Sequence, residues 1–406
     1  MTCYNLLEVA IIGSMDPALN PFNPGSGVRP PELVGRDGEI DAFDLLVARS
    51  KSNTVGDRGM VLSGLRGVGK TVLLNVFAEH ARRNDWLVIQ VEAQPGEAGK
   101  KATRAKLARE LELGARRLRG RPAWSFLQNA MASIGNISAS LGVTGVSASV
   151  TTKQQGRADS GNLDIDLEEL VEDLSLAMRK ARAGFGLFID EMQDLDEELL
   201  TVLLSVQHLA GQRGWPFYII GAGLPNLPGK ISEARTYGER LFLYRTIGQV
   251  NEEAASEALA LPISRLGASL APDALSLLLS AANGYPFFLQ VYGRSVWEAA
   301  SEKVISAEDA QVAVRLGTSD LDHGFFEARW QRATNAERLY LRAMAQDGDS
   351  PSSTGEIADR LGKSTTKLAV IRSRLIAKGV VYAPEYGSIQ FTVPGMAGFI
   401  ARQRED

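Results

Sequence analysis

Gly64-Leu-Arg-Gly-Val-Gly-Lys70-Thr71 decides how this chain folds. The eight residues match G-x-x-x-x-G-K-[ST], a turn whose backbone N–H groups surround phosphate oxygens. Glycines let the backbone turn tightly and aim several N–H groups inward as an anion nest. Lys70 is placed to reach the outer phosphates, and Thr71 to offer its hydroxyl to a divalent cation. Upstream, Gly59-Met-Val-Leu-Ser63 reads as a short buried strand; downstream, Val72 to Arg83 carries apolar residues at helical spacing. Strand, glycine loop and helix are the setting this pattern requires. The helix also directs its positive dipole end at the bound charge. The expected phosphate contacts are Gly64, Leu65, Arg66, Gly67, Val68, Gly69, Lys70, Thr71 and Val72.

A phosphate loop that serves hydrolysis needs a carboxylate for Mg²⁺ and a group that orients water. Phe185-Gly-Leu-Phe-Ile-Asp190-Glu191 supplies both, as an apolar strand ending in two acids. Asp190 would face Thr71 and share Mg²⁺ with it, while Glu191 acts on the attacking water. Further strands are expected at Trp86–Glu92, Trp215–Gly221 and Leu241–Gly248. With helices between them, the rhythm predicts an α/β fold: a parallel sheet covered on both faces, with ligand at the carboxyl ends of its strands.

Composition sets the outer bounds. The chain has 406 residues, suiting two or three domains, with 45% hydrophobic and 23% charged residues. Its net charge of −4 gives no overall basic signature, so any nucleic-acid contact has to be local. The single cysteine, Cys3, excludes an internal disulfide and a cysteine-cluster metal site, and three histidines argue against a histidine site. No apolar run is long enough to span a membrane, and the N-terminus lacks a secretion signal, so a cytoplasmic location is expected. Residues 1–28 read as a flexible leader, within which Met15 is a second candidate start.

The motifs together resemble those of initiator-type AAA+ ATPases and STAND ATPases. Pro31-Glu-Leu-Val34-Gly35-Arg36 is similar to their V-G-R box, and Gly284-Tyr-Pro286 to a lid motif; both fall in the right order around the phosphate loop and the acidic strand. The resemblance frames residues 31 to about 300. It implies that the ligand is ATP with Mg²⁺, that Val34 and Gly35 line the base pocket, and that Pro286 caps it. It also implies an arginine finger before the fifth strand, for which Arg240 is preferred over Arg235. The sensor positions depart from the family pattern. Gly221-Ala-Gly223-Leu-Pro-Asn226 leaves Asn226 as the available polar residue after the fourth strand, and Arg294 matches the lid arginine poorly.

Residues 93–184 are too many for one crossover helix, and an insertion is expected at about 96–165. Lys100 to Arg121 reads as a strongly basic helix, better explained as a solvated face than as a nucleic-acid contact. Ile134 to Val150 reads as a hairpin in an exposed, mobile element. The core is expected over 29–248, and a helical lid with linker over 249–333. From 334 to 406, three helices and a two-stranded wing resemble a winged helix-turn-helix. Its second helix offers Thr365, Thr366, Lys367, Arg372 and Arg374 to double-stranded DNA, within a contact region at 354–393.

These features predict an AAA+-type ATPase that couples ATP binding and hydrolysis to movement of the winged helix, with DNA as a candidate partner. The alternative is a STAND-type switch or scaffold in which ATP sets a conformation and the winged helix binds protein. A homo-oligomer or protein partner is compatible with either. A kinase or transferase fits less well, because Glu191 follows Asp190 and a lid and winged helix follow the core.

Overall fold

A computed structural model of the chain describes residues 15–52, 57–141, 158 and 160–404. Five parallel strands form the central sheet: β1 (Gly59–Ser63), β2 (Leu87–Glu92), β3 (Phe185–Asp190), β4 (Phe217–Gly223) and β5 (Phe242–Thr246), in the order β2-β3-β4-β1-β5. The central strands β1 and β4 are buried at every position, which is why they read as continuous apolar runs without alternation. Helices α1 (Asp37–Ser52) and α2 (Lys70–Arg83) pack together with the strands through Phe43 and Phe77, stacked at 4.5 Å. Trp86 extends this aromatic core, stacking on Tyr218 at 5.1 Å and donating its indole N–H to Ser50 Oγ at 3.1 Å.

Between β2 and β3 lie α3 (Gly96–Arg117), α4 (Pro122–Leu127), α5 (Met131–Ser140) and α6 (Leu163–Lys180). The hairpin expected from Ile134 is therefore overturned over its first residues, which form α5. Ile134, Ile137 and Leu141 fall three and four apart, and all are buried in the core with Leu107 and Leu111 of α3. That helical spacing, satisfied by packing, outweighs the β propensity of the isoleucines. The rest of the expected hairpin lies outside the described residues. Three arginines of α3 are answered by carboxylates: Arg104 pairs with Asp196 and Glu198, Arg116 with Glu112, and Arg117 with Glu110.

After β3 come α7 (Glu197–Arg213) and, beyond β4, α8 (Leu227–Ala234). The helices following β5 are α9 (Glu252–Arg265), α10 (Pro272–Ala282), α11 (Pro286–Ala299) and α12 (Ala307–Leu321), with a two-stranded pairing of β6 (Ser269–Leu270) and β7 (Val304–Ile305). A π-helical turn, Asp322–Phe326, leads into α13 (Glu327–Gln331). The C-terminal module has α14 (Asn335–Ala345), β8 (Ser352–Ser353), α15 (Thr354–Arg360), α16 (Thr365–Ala377), β9 (Val381–Tyr382), β10 (Ser388–Phe391) and α17 (Met396–Arg402). Its strands pair antiparallel in the order β8-β10-β9, so the expected two-stranded wing gains a third strand from the residues before α15.

Two hydrophobic cores result. One surrounds the parallel sheet; the other runs without a break from Ala255 of α9 to Ile400 of α17. Lid and C-terminal module thus share apolar packing. Of residues 15–28, Met15 and Phe22 join this second core, so the stretch is anchored instead of forming a loose leader. Phe22 is buried against Gly293, Trp297 Nε1 donates to the Asp16 carbonyl at 2.9 Å, and Asn20 Nδ2 donates to the Arg294 carbonyl at 3.1 Å. Among the described residues, no helix is long and apolar enough to cross a membrane.

Candidate nucleotide site

The loop between β1 and α2 lies at the carboxyl end of the sheet, where parallel strands leave room for a ligand. Gly64 is dictated by close approach: a Cβ there would collide with the Ile247 carbonyl, just beyond β5. Gly69 caps α2 in the left-handed region at φ 95°, turning the last loop amides toward the helix start. Buried Arg36, from the V-G-R box, fixes the loop from below. Its Nη2 donates to the Val68 carbonyl at 3.2 Å and the Gly248 carbonyl at 2.5 Å.

A cavity of about 390 Å³ opens over this loop, within the range of nucleotide-sized pockets. Of the residues expected from sequence, Val34, Arg66 to Val72, Asp190, Glu191 and Pro286 line it. Gly64, Leu65 and Gly35 do not. Leu65 contributes its carbonyl to Lys70 instead, and Gly35 makes a turn against Val250 and Ala254. Leu33, Val250, Ala258 and Leu289 give the cavity an apolar end. Asn23 to Val28 form a strap along its rim, anchored to α2 by Asn75 Nδ2 donating to the Gly27 carbonyl at 3.3 Å.

At the polar end, Thr71 Oγ1 donates to Asp190 Oδ2 at 2.7 Å, so the two oxygens expected on Mg²⁺ already converge. Both are hard oxygen donors, the set Mg²⁺ prefers. Burial pushes the Asp190 carboxyl up, opposed by the Thr71 hydrogen bond. Lys70 Nζ donates to the Gly64 and Leu65 carbonyls at 2.9 and 2.8 Å. Burial lowers the Lys70 ammonium to about 8, against the attraction of Glu191 and Asp190. Glu191 is held from two sides: Gln193 Nε2 donates to its Oε2 at 2.7 Å, and Arg66 Nη2 lies 3.5 Å from its Oε1. Gln193 is itself fixed, its Oε1 accepting from Leu224 N at 3.1 Å.

Tyr285 and Phe287, flanking Pro286, clamp the loop from the lid side. The Tyr285 hydroxyl donates to the Arg66 carbonyl, and Phe287 N donates to the Gly67 carbonyl at 3.2 Å. Arg329 also lines the cavity; burial, then the nearby charges of Arg66 and Arg332, lower its guanidinium to about 10. Gln193, Arg329 and the strap carry no motif, and sequence reading missed them.

Other expected residues lie elsewhere. Arg240 is exposed on a short turn just before β5, at the amino edge of the sheet and away from the loop of its own chain. Arg235 is tied to α7, donating to Ser205 Oγ at 3.0 Å. Asn226 stands at the start of α8 without a side-chain capping bond, and Arg294 pairs with Glu298; neither lines the cavity. On α16, Thr365, Thr366, Lys367 and Arg374 are exposed, whereas Arg372 is half-buried and donates to the Ser388 carbonyl at 3.3 Å.

Residues 32–220 match the family model for an AAA ATPase domain. The chain therefore carries an AAA+-type P-loop ATPase domain on a parallel α/β core. Residues 323–400 match a domain of unknown function (DUF8462). Among solved structures, the chain is similar to the Walker-type ATPase PABY2304 of Pyrococcus abyssi at 15% identity and TM-score 0.55, covering 92% of this chain and 97% of that one. At that identity the likeness is one of fold. It is also similar to the Aeropyrum pernix ORC1 protein, solved in complex with DNA, at 17% identity and TM-score 0.45, covering 92% and 93% of the two chains. A third is Cdc6p from Pyrobaculum aerophilum, at 14% identity and TM-score 0.46, covering 96% and 98%. No curated protein matches the chain.

Proposed function

We propose that this protein binds ATP with Mg²⁺ in the cavity over Gly64–Thr71 and hydrolyses it slowly, using the cycle to move its C-terminal module. The observation that carries the reading is the 2.7 Å contact of Thr71 Oγ1 with Asp190 Oδ2, made beside Lys70 and Glu191 in one cavity. The apolar end, with Val34 and Pro286, takes the base. Loop amides and Lys70 take the phosphates. Thr71 and Asp190 would hold Mg²⁺, whose charge offsets that of the phosphates. Glu191 orients a water and accepts its proton as the bond to the terminal phosphoryl group breaks, ADP leaving with the electron pair.

Arg240, exposed at the far edge of the sheet, has a catalytic part only if it reaches the site of a neighbouring subunit. The C-terminal module is read as a winged helix, with Thr365, Thr366, Lys367 and Arg374 as its duplex-DNA face. A cytoplasmic site of action accords with this reading.

The second reading, a STAND-type switch, is favoured by one contact: Arg66 N donates to the Thr392 carbonyl at 3.0 Å, seating the C-terminal module on the phosphate loop. Phosphate release measured against protein concentration, with and without duplex DNA, tests both. Glu191→Gln should retain binding and lose turnover; unchanged turnover removes the catalytic assignment. Stimulation by DNA favours an ATPase acting on DNA, and its absence with nucleotide-dependent assembly favours the switch.

A further inference from the structure

We propose that Arg329 is a ligand of the terminal phosphate, and that through it the Asp322–Phe326 turn distinguishes ATP from ADP. The inference rests on the nucleotide reading above and adds a residue from outside both the sheet core and the lid helices.

Four observations converge. First, Arg329 lines the cavity together with the phosphate loop and Glu191. Second, its position is fixed. The guanidinium carbon lies 4.5 Å from the Phe325 ring centroid, and Nη1 donates to the Phe325 carbonyl. Phe325 in turn stacks on Phe287 at 4.8 Å, and Phe287 N is bonded to the Gly67 carbonyl of the loop. Arg329 is thereby held at the phosphate end of the cavity.

Third, no carboxylate answers its charge. Among the described residues none pairs with Arg329, and the charges that act on it are the like charges of Arg66 and Arg332. A half-buried guanidinium with no carboxylate partner is suited to an anion, and its planar fork matches phosphate oxygens. Arg66 lines the same cavity and lies 3.5 Å from Glu191, so Arg329 faces the end where water would attack. That is the end of the terminal phosphate.

Fourth, the turn bearing Phe325 is coupled to the C-terminal module. Phe326 stacks on Phe399 of α17 at 5.6 Å, and Asp322 pairs with Arg402 at 2.5 Å. A bond from Arg329 to the terminal phosphate would therefore hold the turn and α17 in this arrangement, and loss of that phosphate would release it.

The test is equilibrium binding of Mg-ADP and Mg-ATPγS to the full chain. Arg329→Gln keeps a flat polar group over Phe325 and should fold; Arg329→Ala serves as a second variant. Each should weaken ATPγS about 10- to 100-fold, the scale of one charge-assisted hydrogen bond, and leave ADP within about twofold. In wild type, ATPγS should slow hydrogen exchange across residues 322–331 more than ADP does, and this difference should vanish in Arg329→Gln. Equal losses for both nucleotides, or no loss for either, would overturn the assignment while leaving the nucleotide site in place. Absence of binding of either nucleotide to wild type would overturn the parent reading as well.

Discussion

Arg66 N donates a hydrogen bond to the Thr392 carbonyl at 3.0 Å, so the phosphate loop is bonded to the chain just after the last strand of the C-terminal module. Thr392 is fully buried, and its hydroxyl donates to the Gly379 and Val380 carbonyls at 2.9 and 3.1 Å. The Arg66 side chain passes over Gly379 toward Glu191. One residue thus touches the loop, the acid assigned to water and the C-terminal module.

Gly379 is the weak point of that seat. It adopts φ +65°, and a Cβ would stand 3.2 Å from Arg66 Nη2. Gly379→Ala should lower stability by about 1–2 kcal/mol from the left-handed backbone alone. Displacement of Arg66 should also speed amide exchange across residues 64–67. Urea unfolding and hydrogen exchange check the two effects; unchanged exchange would argue against a seated module.

Gln193 positions Glu191 without reaching the cavity itself. Gln193→Ala should reduce ATP turnover about 10- to 100-fold, part of the contribution of a general base. Affinity for ADP should stay within about twofold. A matching loss in ADP affinity would mean that the residue supports the fold rather than the geometry of Glu191.

Lys70 links binding to protons. Its folded-state pKa of about 8 is lowered from the ordinary lysine value by burial, so below pH 8 it is charged in both folded and unfolded protein. As pH rises through 8 the folded protein loses that proton first, and stability of the nucleotide-free chain should increase toward pH 10. Phosphates favour the charged form, so nucleotide binding at pH 9 should take up a proton that binding at pH 7 does not. Calorimetry in buffers of different ionisation enthalpy measures this uptake directly.

The C-terminal module depends on a buried acid. Glu337 accepts from Thr334 N at 2.7 Å and from Lys378 Nζ at 2.6 Å. Burial pushes its carboxyl up, but these hydrogen bonds and the Lys378 charge outweigh it and hold it below the usual carboxylate range. A depressed carboxylate stabilises above its unfolded value, near 4.5, and that contribution disappears as pH falls through the folded value. Lys378→Met should cost about 1–3 kcal/mol at pH 7, since the remaining carboxylate is buried unpaired. The gap from wild type should narrow below pH 4 in chemical denaturation.

The local parts of this molecule were legible in its sequence. Gly64–Thr71 and Phe185–Glu191 carry their chemistry in consecutive residues, and burial on both faces makes the sheet strands continuous apolar runs. What escaped was made by distance. Phe22 sits among Pro, Asn and Gly residues that read as loose chain, yet Gly293, far along the sequence, leaves space for its ring. Arg240 precedes the expected strand as foreseen, but parallel topology puts the start of β5 opposite the phosphate loop. Arg329 is an ordinary arginine until Phe287 and Phe325 bring it to the cavity.

Equilibrium binding of Mg-ATP to wild type and Lys70→Ala tests the central claim most directly. Lys70 carries the sole ammonium among the cavity-lining residues. The account predicts saturable binding by wild type and its loss, by at least about 100-fold, in Lys70→Ala with the fold intact. Equal affinity in the two proteins would contradict the assignment of this loop as the nucleotide site.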